Sequence, residues 1–477
     1  MKEVNAAVIG LGAAGLNVLE QLAWIPGLKV HVFDVGPEYD ARFPCPIDQG
    51  KRKDCPEHGP CSFCAPAQSG GIFNDGKFIR SASRVIGGQL WDHIGEEELQ
   101  AELDAVAGII VEHVPPGFEI PIARPSADDL AWINALADAA GMVYHYQVLM
   151  HLGSDLLPAV CTAILKTICG RSNNLVFHWN TKVVSLSRHG SGFLVNFQKD
   201  RGKTASDQTQ GAVFDFAVVC VGRGGVRWLT EQPFWPALEK YPGQVDLGVR
   251  VETLRDVTAK LDGFYEPKLY CDTPAGEARN FCSNPGGEVC IEHHGHYALV
   301  NGHSKAKKKT KNQNFAVLIR PKDAPSTDPH LYSQEVAMRV NALAGGTQPR
   351  PLMQRLGDLR AGRPTASLNG NRVRPTLLTP CGDLTPGYPD GLLLQGVVPY
   401  LDALDRICPG VADDDTLVIG PEAKTYGGKV AVTKEMETTT IANLYLCGDG
   451  SGWTRGLGQA ACSGRLAAKG IRRKLGL

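Results

Sequence analysis

Three groups of residues have the types and spacing to do chemistry. Gly10, Gly12 and Gly15 form G-x-G-x-x-G between a strand-like run, AAVIG, and a helix-like one, LNVLEQLAWI. The three glycines act differently. Gly10 makes a tight turn, Gly12 admits backbone close to a pyrophosphate, and Gly15 lets a helix pack closely on a sheet. With Ala13 and Ala14 they open a helix whose free N–H groups and positive dipole end suit phosphate oxygens. Asp34 closes the next strand, KVHVFDVG, where a carboxylate accepts hydrogen bonds from a ribose. The second group, Cys45, Cys55, His58, Cys61 and Cys64, lies in CPIDQGKRKDCPEHGPCSFC. Its C-x2-H-x2-C-x2-C part lets one loop surround a metal, zinc or an iron–sulfur cluster by ligand type. A redox-active dithiol and a loop of free thiols stay open beside it, because neither zinc-ribbon nor ferredoxin spacing is met. The third group is histidine: His293, His294, His296 and His303 in one stretch, and His151 just before Asp155. Imidazoles titrate near neutrality and so are candidate acids and bases, against the plainer reading of exposed strand-and-turn histidines.

The elements that must position these groups follow from the pattern. The opening alternates strand, turn, helix, strand. Two helical patterns follow, EEELQAELDAVAGII and ADDLAWINALADAAG, the second begun by Ser126 as an N-cap, and LLPAVCTAILKTIC forms a third. LVFHWNTKVVSLSRHGSGFLVNFQ alternates like strands around a Gly190–Gly192 turn, and FDFAVVCVG is a further strand. From about 230 to 420 the alternation breaks into short strands and Pro/Gly turns, before the chain returns to a strand, NLYLCGDG, and a small-residue helix. The expected fold class is α/β: a Rossmann-like nucleotide domain with an inserted β-rich (α+β) substrate domain. Its expected bounds are 1–230, with a Cys-rich loop at 45–64 and a helical insertion at 91–150, then 231–420 for the inserted domain and 421–477 completing the first.

Composition narrows the function. The chain has 477 residues with 49 Lys and Arg against 50 Asp and Glu, a balance that argues against a nucleic-acid binder. No run reaches the length of uncharged apolar sequence that spans a membrane. MKEVNAAVIGLG enters a strand at once, so a cytoplasmic protein without a leader is expected, and the 14 cysteines read as thiols or ligands. KAKKKTKNQN, at 305–314, is a solvated loop or a clamp for an anion.

LYLCGDGSG resembles the closing motif of FAD-dependent oxidoreductases, and DFAVVCVGRGG resembles their middle motif. The resemblance implies FAD, with Asp449 on the ribityl chain, and Gly222, Gly448 and Gly456 in turns against the cofactor. SGGIFNDGK (69–77), HLGSD, VDLGVRVE, FCSNPGGEV, NGH, QRLGD and GDGSGWTRGLGQAACSG are together similar to the bacterial and archaeal FAD-dependent dehydrogenases over most of the chain. That resemblance implies flavin contacts at Gly70, Gly71, Asp75 and Gly76. It departs at IEHHGHYALV. Arg250, Arg355, Arg374 and Arg455 stand beside its motifs, where a guanidinium forks onto a carboxylate or phosphate, and Trp91 and Trp453 are candidates to cover flavin or substrate.

No second G-x-G-x-x-G unit appears mid-chain, so NAD(P)H, if used, docks as a transient reductant without its own domain. The expected activity is hydride transfer at the flavin to or from a small-molecule substrate, an anion if the lysine run is a clamp, with the histidines and Arg455 as catalytic candidates. Two alternatives accompany it: an electron-transfer flavoprotein with an iron–sulfur cluster on the Cys45–Cys64 loop and a redox protein partner, and a flavin-bound redox sensor or scaffold.

Overall fold

A computed structural model describes residues 4–38, 76–82, 88–199, 209–241, 243–264, 267–303, 309–322, 329–426 and 428–477. The chain divides into two compact units. The first holds residues 1–120, 155–242 and 427–477; the second holds 121–154 and 243–426. The chain thus leaves the first unit a dozen residues later than 230 and re-enters it at 427. Residues 121–154, placed with the nucleotide domain by their helical pattern, belong instead to the second unit, because Val143–His145 pairs with its sheet.

The first unit is built on five parallel strands: β1 (Val4–Ile9), β2 (Leu28–Phe33), β3 (Leu175–His178), β4 (Phe216–Val219) and β5 (Leu444–Leu446). Their spatial order is 5-4-1-2-3, the doubly wound order. β1 lies at the centre, and Ala6, Ala7 and Val8 are fully buried, as expected of a parallel strand covered on both faces. Helix α1 (Ala13–Leu22) connects β1 to β2, and α2 (Leu457–Lys474) follows β5 and packs on α1. Gly464 permits that approach: a Cβ there would stand 2.1 Å from the Ala14 carbonyl oxygen.

Between β3 and β4 an antiparallel meander, Thr181–His189, Gly192–Lys199 and Gln210–Phe214, turns at Gly190 as its glycines suggest. Under it His31 Nδ1 lies 3.0 Å from His178 Nε2, boxed by Phe33, Phe197 and Phe214.

The second unit is an antiparallel sheet of seven strands. In spatial order they are Leu352–Arg355, Leu417–Tyr426, Gln244–Leu254, Asn312–Pro321, Gly276–Pro285, Lys268–Thr273 and Val143–His145. VDLGVRVE reads as strict alternation and is built that way. Val245, Leu247, Val249 and Val251 join Phe315, Val317 and Ile319 in the main core, together with helix residues from Pro329–Ala344 and Val398–Ile407. The other face carries Asp246, Arg250 and Glu252, and the hairpin Glu288–His293/Ala298–His303 packs there around Val289, Val300, Leu417 and Ile419. Ser126 caps its helix, Ala127–Ala139, in a reciprocal box with Asp129, whose carboxyl is held below its ordinary value first by the Ser126 hydroxyl and then by the Ser126 N–H.

Arg250 is fully buried and its fork is spent inside the protein. Nε donates to Asn314 Oδ1 at 3.0 Å and Nη2 to the Cys282 carbonyl at 2.9 Å, while Nη1 lies 3.4 Å from the Glu422 carboxylate. Gly302 rests on it, since a Cβ there would be 2.0 Å from Nη2. This arginine therefore does not receive substrate. Arg355 is likewise engaged, by Asn371 at 2.9 Å and Asp415 at 2.7 Å. Arg374 is exposed, and its carbonyl accepts from Asn312 Nδ2 at 2.7 Å.

Among the described residues no helix is long and apolar enough to cross a membrane. All ten described cysteines are free thiols.

Glu422→Gln removes the buried carboxylate that Arg250 and Lys424 both face. It should cost about 3–5 kcal/mol in denaturant unfolding; a loss under about 1 kcal/mol would contradict the reading. His178 is held below its ordinary pKa by burial and then by Lys199, so the unfolded chain takes up a proton first as pH falls. Stability should be complete above about pH 6.5 and decline below it, with a shallower decline in His178→Gln, read by thermal melts from pH 5 to 8.

Candidate nucleotide site

The site is assembled where the strand order reverses, between β1 and β4, at their carboxyl ends. The chain turns at Gly10 with φ +95°, a left-handed conformation that glycine adopts without strain, and its amide donates to the Phe33 carbonyl at 2.8 Å. A Cβ on Gly15 would stand 2.1 Å from the Gly10 carbonyl oxygen, and one on Gly10 would stand 3.0 Å from that of Cys220. Gly12 precedes α1, and among the described residues no side chain caps its first turn, whose N–H groups at Ala13 and Ala14 suit an anionic acceptor.

Asp34 does more than the ribose role its position suggests. Its Oδ2 accepts the Leu11 N–H at 2.8 Å and its Oδ1 the Gly36 N–H at 2.8 Å, so it ties the glycine turn to the end of β2. A carboxylate oxygen has two lone pairs, so these bonds are compatible with accepting from a hydroxyl as well.

The turns after β4 and β5 meet this loop. Gly450 donates to the Val221 carbonyl at 3.0 Å, and a Cβ at Gly450 would stand 2.6 Å from that oxygen. Gly222 follows Val221 and accepts from the Gly225 N–H at 2.9 Å. Gly448, at φ +71°, donates its N–H to Ser463 Oγ at 2.9 Å. Asp449 Oδ1 accepts from Thr454 Oγ1 at 2.8 Å and from the Gly456 N–H at 3.3 Å, which fixes the turn leading into α2. Cys220 and Cys447 end β4 and β5 side by side, and burial, aided by the Cys220 contact, pushes the Cys447 thiol far above its ordinary range. Both thiols are buried.

Gly76, at φ +66°, leads into Lys77–Ile79, which crosses the start of α2, and a Cβ on Gly458 would stand 2.9 Å from the Ile79 carbonyl oxygen. Gly70, Gly71 and Asp75 lie outside the described residues, as do Cys45, Cys55, His58, Cys61 and Cys64. Among the described residues no group of three or more His, Cys, Asp and Glu is placed to hold a metal ion.

The histidines are not gathered into one site. His293 and His296 are exposed at the turn end of the second unit's hairpin. His294 stacks on Tyr297, with ring centroids 4.7 Å apart, and lies 3.7 Å from Glu292. His303 pairs with Glu288 at the far end of the same hairpin, five residue steps and roughly 17 Å away at ~3.3 Å per residue. His151 is buried on a separate strand, its N–H donating to the Pro121 carbonyl at 3.0 Å. The reason is geometric: neighbours in sequence on a strand and turn point to different sides.

No family model matches the chain. Over 210 residues it is 27% identical to an uncharacterized protein of Clostridium beijerinckii, a stretch covering 42% of this chain and 38% of that one, so the match spans well under half of the relative. Among solved structures, glycine oxidase from Geobacillus kaustophilus gives a TM-score of 0.42 at 12% identity, over 98% of this chain and 94% of that one. The p-nitrophenol 4-monooxygenase PnpA from Pseudomonas putida DLL-E4 gives 0.40 at 12% identity, over 100% and 80%. Scores of this size leave the reading of the site to the strand order and the turns themselves.

Further residues pack around these turns. Gln459 is buried on α2 and accepts the Leu90 N–H at 3.1 Å. Trp453 is buried, its Nε1 donating to the Val430 carbonyl at 2.7 Å. Lys429 lies with its ammonium 5.0 Å from the Trp453 ring. Only the tertiary fold brings 429 to 453.

Gly15→Ala should displace the Gly10 turn, lowering the melting temperature and removing bound dinucleotide. An unchanged melting temperature with full nucleotide content would show that the 2.1 Å approach is not required.

Proposed function

We propose that this chain is an FAD-dependent oxidoreductase acting on a small molecule. One observation carries the reading: two glycine turns, each followed by a helix and each bearing an acid, converge on one switch point of a parallel sheet. Asp34 stands at one and Asp449 at the other, with Val221 accepting from Gly450 between them. An ordinary mononucleotide needs one such turn; a second acid beyond the pyrophosphate suits a dinucleotide with a second polyol, the ribityl chain of FAD. The residues fit the group, because Gly10, Gly15 and Gly450 hold backbone where any Cβ would collide.

In this reading the amides of Gly12, Ala13 and Ala14 take the pyrophosphate, Asp34 the adenosine ribose, and Asp449 the ribityl hydroxyls. Gly222, Gly448 and Gly456 keep the surrounding backbone close. Flavin, when bound, supplies hydride-transfer chemistry, and the protein supplies orientation and charge. The chain's own residues exclude bulk, hold the turns rigid and place polar groups at the turn before α2.

The test is the cofactor itself. Protein purified and, if needed, incubated with FAD should show flavin absorbance at one equivalent, and heat should release FAD rather than FMN or NAD. Protein that takes up only NAD(H), or no nucleotide, would overturn the reading.

A further inference from the structure

The sequence contains two Asn-Gly steps, Asn301-Gly302 and Asn369-Gly370, and both lie in the second unit. Such a step can modify itself. The glycine nitrogen and the asparagine side-chain carbon are joined by a short stretch of chain, so ring closure between them is intramolecular. Glycine has no Cβ to hinder the approach. The fold then decides whether each pair is free to bend into the ring.

Asn369 and Gly370 form the tip of a turn that the Asn371 N–H closes by donating to the Leu368 carbonyl at 3.1 Å. Both tip residues are exposed. The Asn369 N–H donates to Ser367 Oγ at 3.1 Å, but among the described residues neither the Asn369 side-chain amide nor the Gly370 N–H has a hydrogen-bond partner. Nothing among those residues lies within 4 Å of where a Cβ on Gly370 would stand. The other step is held at every point. Asn301 Nδ2 donates to Glu292, which ties down the leaving group, and the Gly302 N–H donates to Asn301 Oδ1 at 2.8 Å, which aims the proton rather than the nitrogen lone pair at the side chain. Asn301 and Gly302 pair with Cys290 and Val289 across their hairpin. Gly302 is also wedged in place: a Cβ there would be 2.0 Å from Arg250 Nη2 and 2.1 Å from Asn314 Oδ1.

We propose that Asn369 is a site of spontaneous modification, a deamidation that the turn permits and the hairpin denies to Asn301. The Gly370 nitrogen gives its proton to solvent and attacks Asn369 Cγ. The Cγ–Nδ2 bond breaks, ammonia leaves with the proton it needs, and a succinimide remains. Water then opens the ring, at Cγ to leave aspartate or at the main-chain carbonyl to leave isoaspartate. In sum one water is consumed and one ammonia released, with no oxidant or reductant. The isoaspartyl product threads an extra carbon into the main chain two residues before Asn371. That residue is buried and holds Arg355 Nε at 2.9 Å and the Val373 and Asp415 carbonyls at 3.0 and 2.9 Å.

Full-length protein held at mildly alkaline pH would be sampled over weeks, digested and mapped by mass spectrometry for the amide-to-acid mass gain, with isoaspartate told from aspartate by fragmentation. Asn369 should convert at least about tenfold faster than Asn301, which must first open locally. Isoaspartate should be among the products at 369. The same chain unfolded in urea should lose the contrast, both steps converting at similar rates. Asn369→Gln should remove the gain from its peptide and leave the rest of the map unchanged. An amide that persists at 369 for as long as the unfolded chain takes to convert would overturn the proposal. So would equal rates at 301 and 369 in the folded protein, a contrast that survives unfolding, or aspartate formed at 369 without isoaspartate.

Discussion

Backbone meets backbone at the switch point of the parallel sheet, and the first unit is organised around that approach. α1 begins close to the turn that precedes it because Gly15 has no Cβ to collide with the Gly10 carbonyl. The Gly10 turn fits against Cys220, the Gly450 turn fits against Val221, and Gly464 lets α2 close on α1 at Ala14. Each contact gives up side-chain packing so that main chain can approach main chain. Asp34 and Asp449 stabilise the arrangement by holding turn amides, and carboxylate oxygens can accept more than one hydrogen bond each.

The second unit answers a different problem. One face of its sheet is an ordinary apolar core, while the other buries Arg250, Glu252 and Glu422. Burial raises the Glu252 carboxyl even though Asn312 and Thr376 donate to it at 2.8 and 2.7 Å. Charges so enclosed stay put only with their partners in place, which makes this face sensitive to single substitutions and fixes how the hairpin sits on it. Three stretches singled out by resemblance, VDLGVRVE, FCSNPGGEV and NGH, meet at Arg250. Their shared residues there hold the sheet and its hairpin together rather than a substrate.

Much of this is legible in the sequence alone. G-x-G-x-x-G with its acid, the Ser126 cap, the Gly190 turn and the alternation of 245–252 are local signals, written in residues close together along the chain. The face an arginine turns to, and what waits for it there, are not local: Arg250 reads like a substrate ligand until Glu422, 172 positions away, is found beside it. The histidines mislead in the opposite sense, since neighbours in sequence are dispersed by a strand and a turn. Trp453 stands in one of the motifs, but Lys429 does not, and only the tertiary fold brings the two together. The second unit's claim on 121–154 is equally hidden, because a three-residue edge strand leaves little trace in a helical stretch.

The central claim is that one dinucleotide lies across both glycine turns. A crystal structure of the protein with FAD measures this most directly. Pyrophosphate oxygens should lie within hydrogen-bonding distance of the Gly12–Ala14 amides, and ribityl hydroxyls on Asp449. A nucleotide seated away from either turn would contradict it.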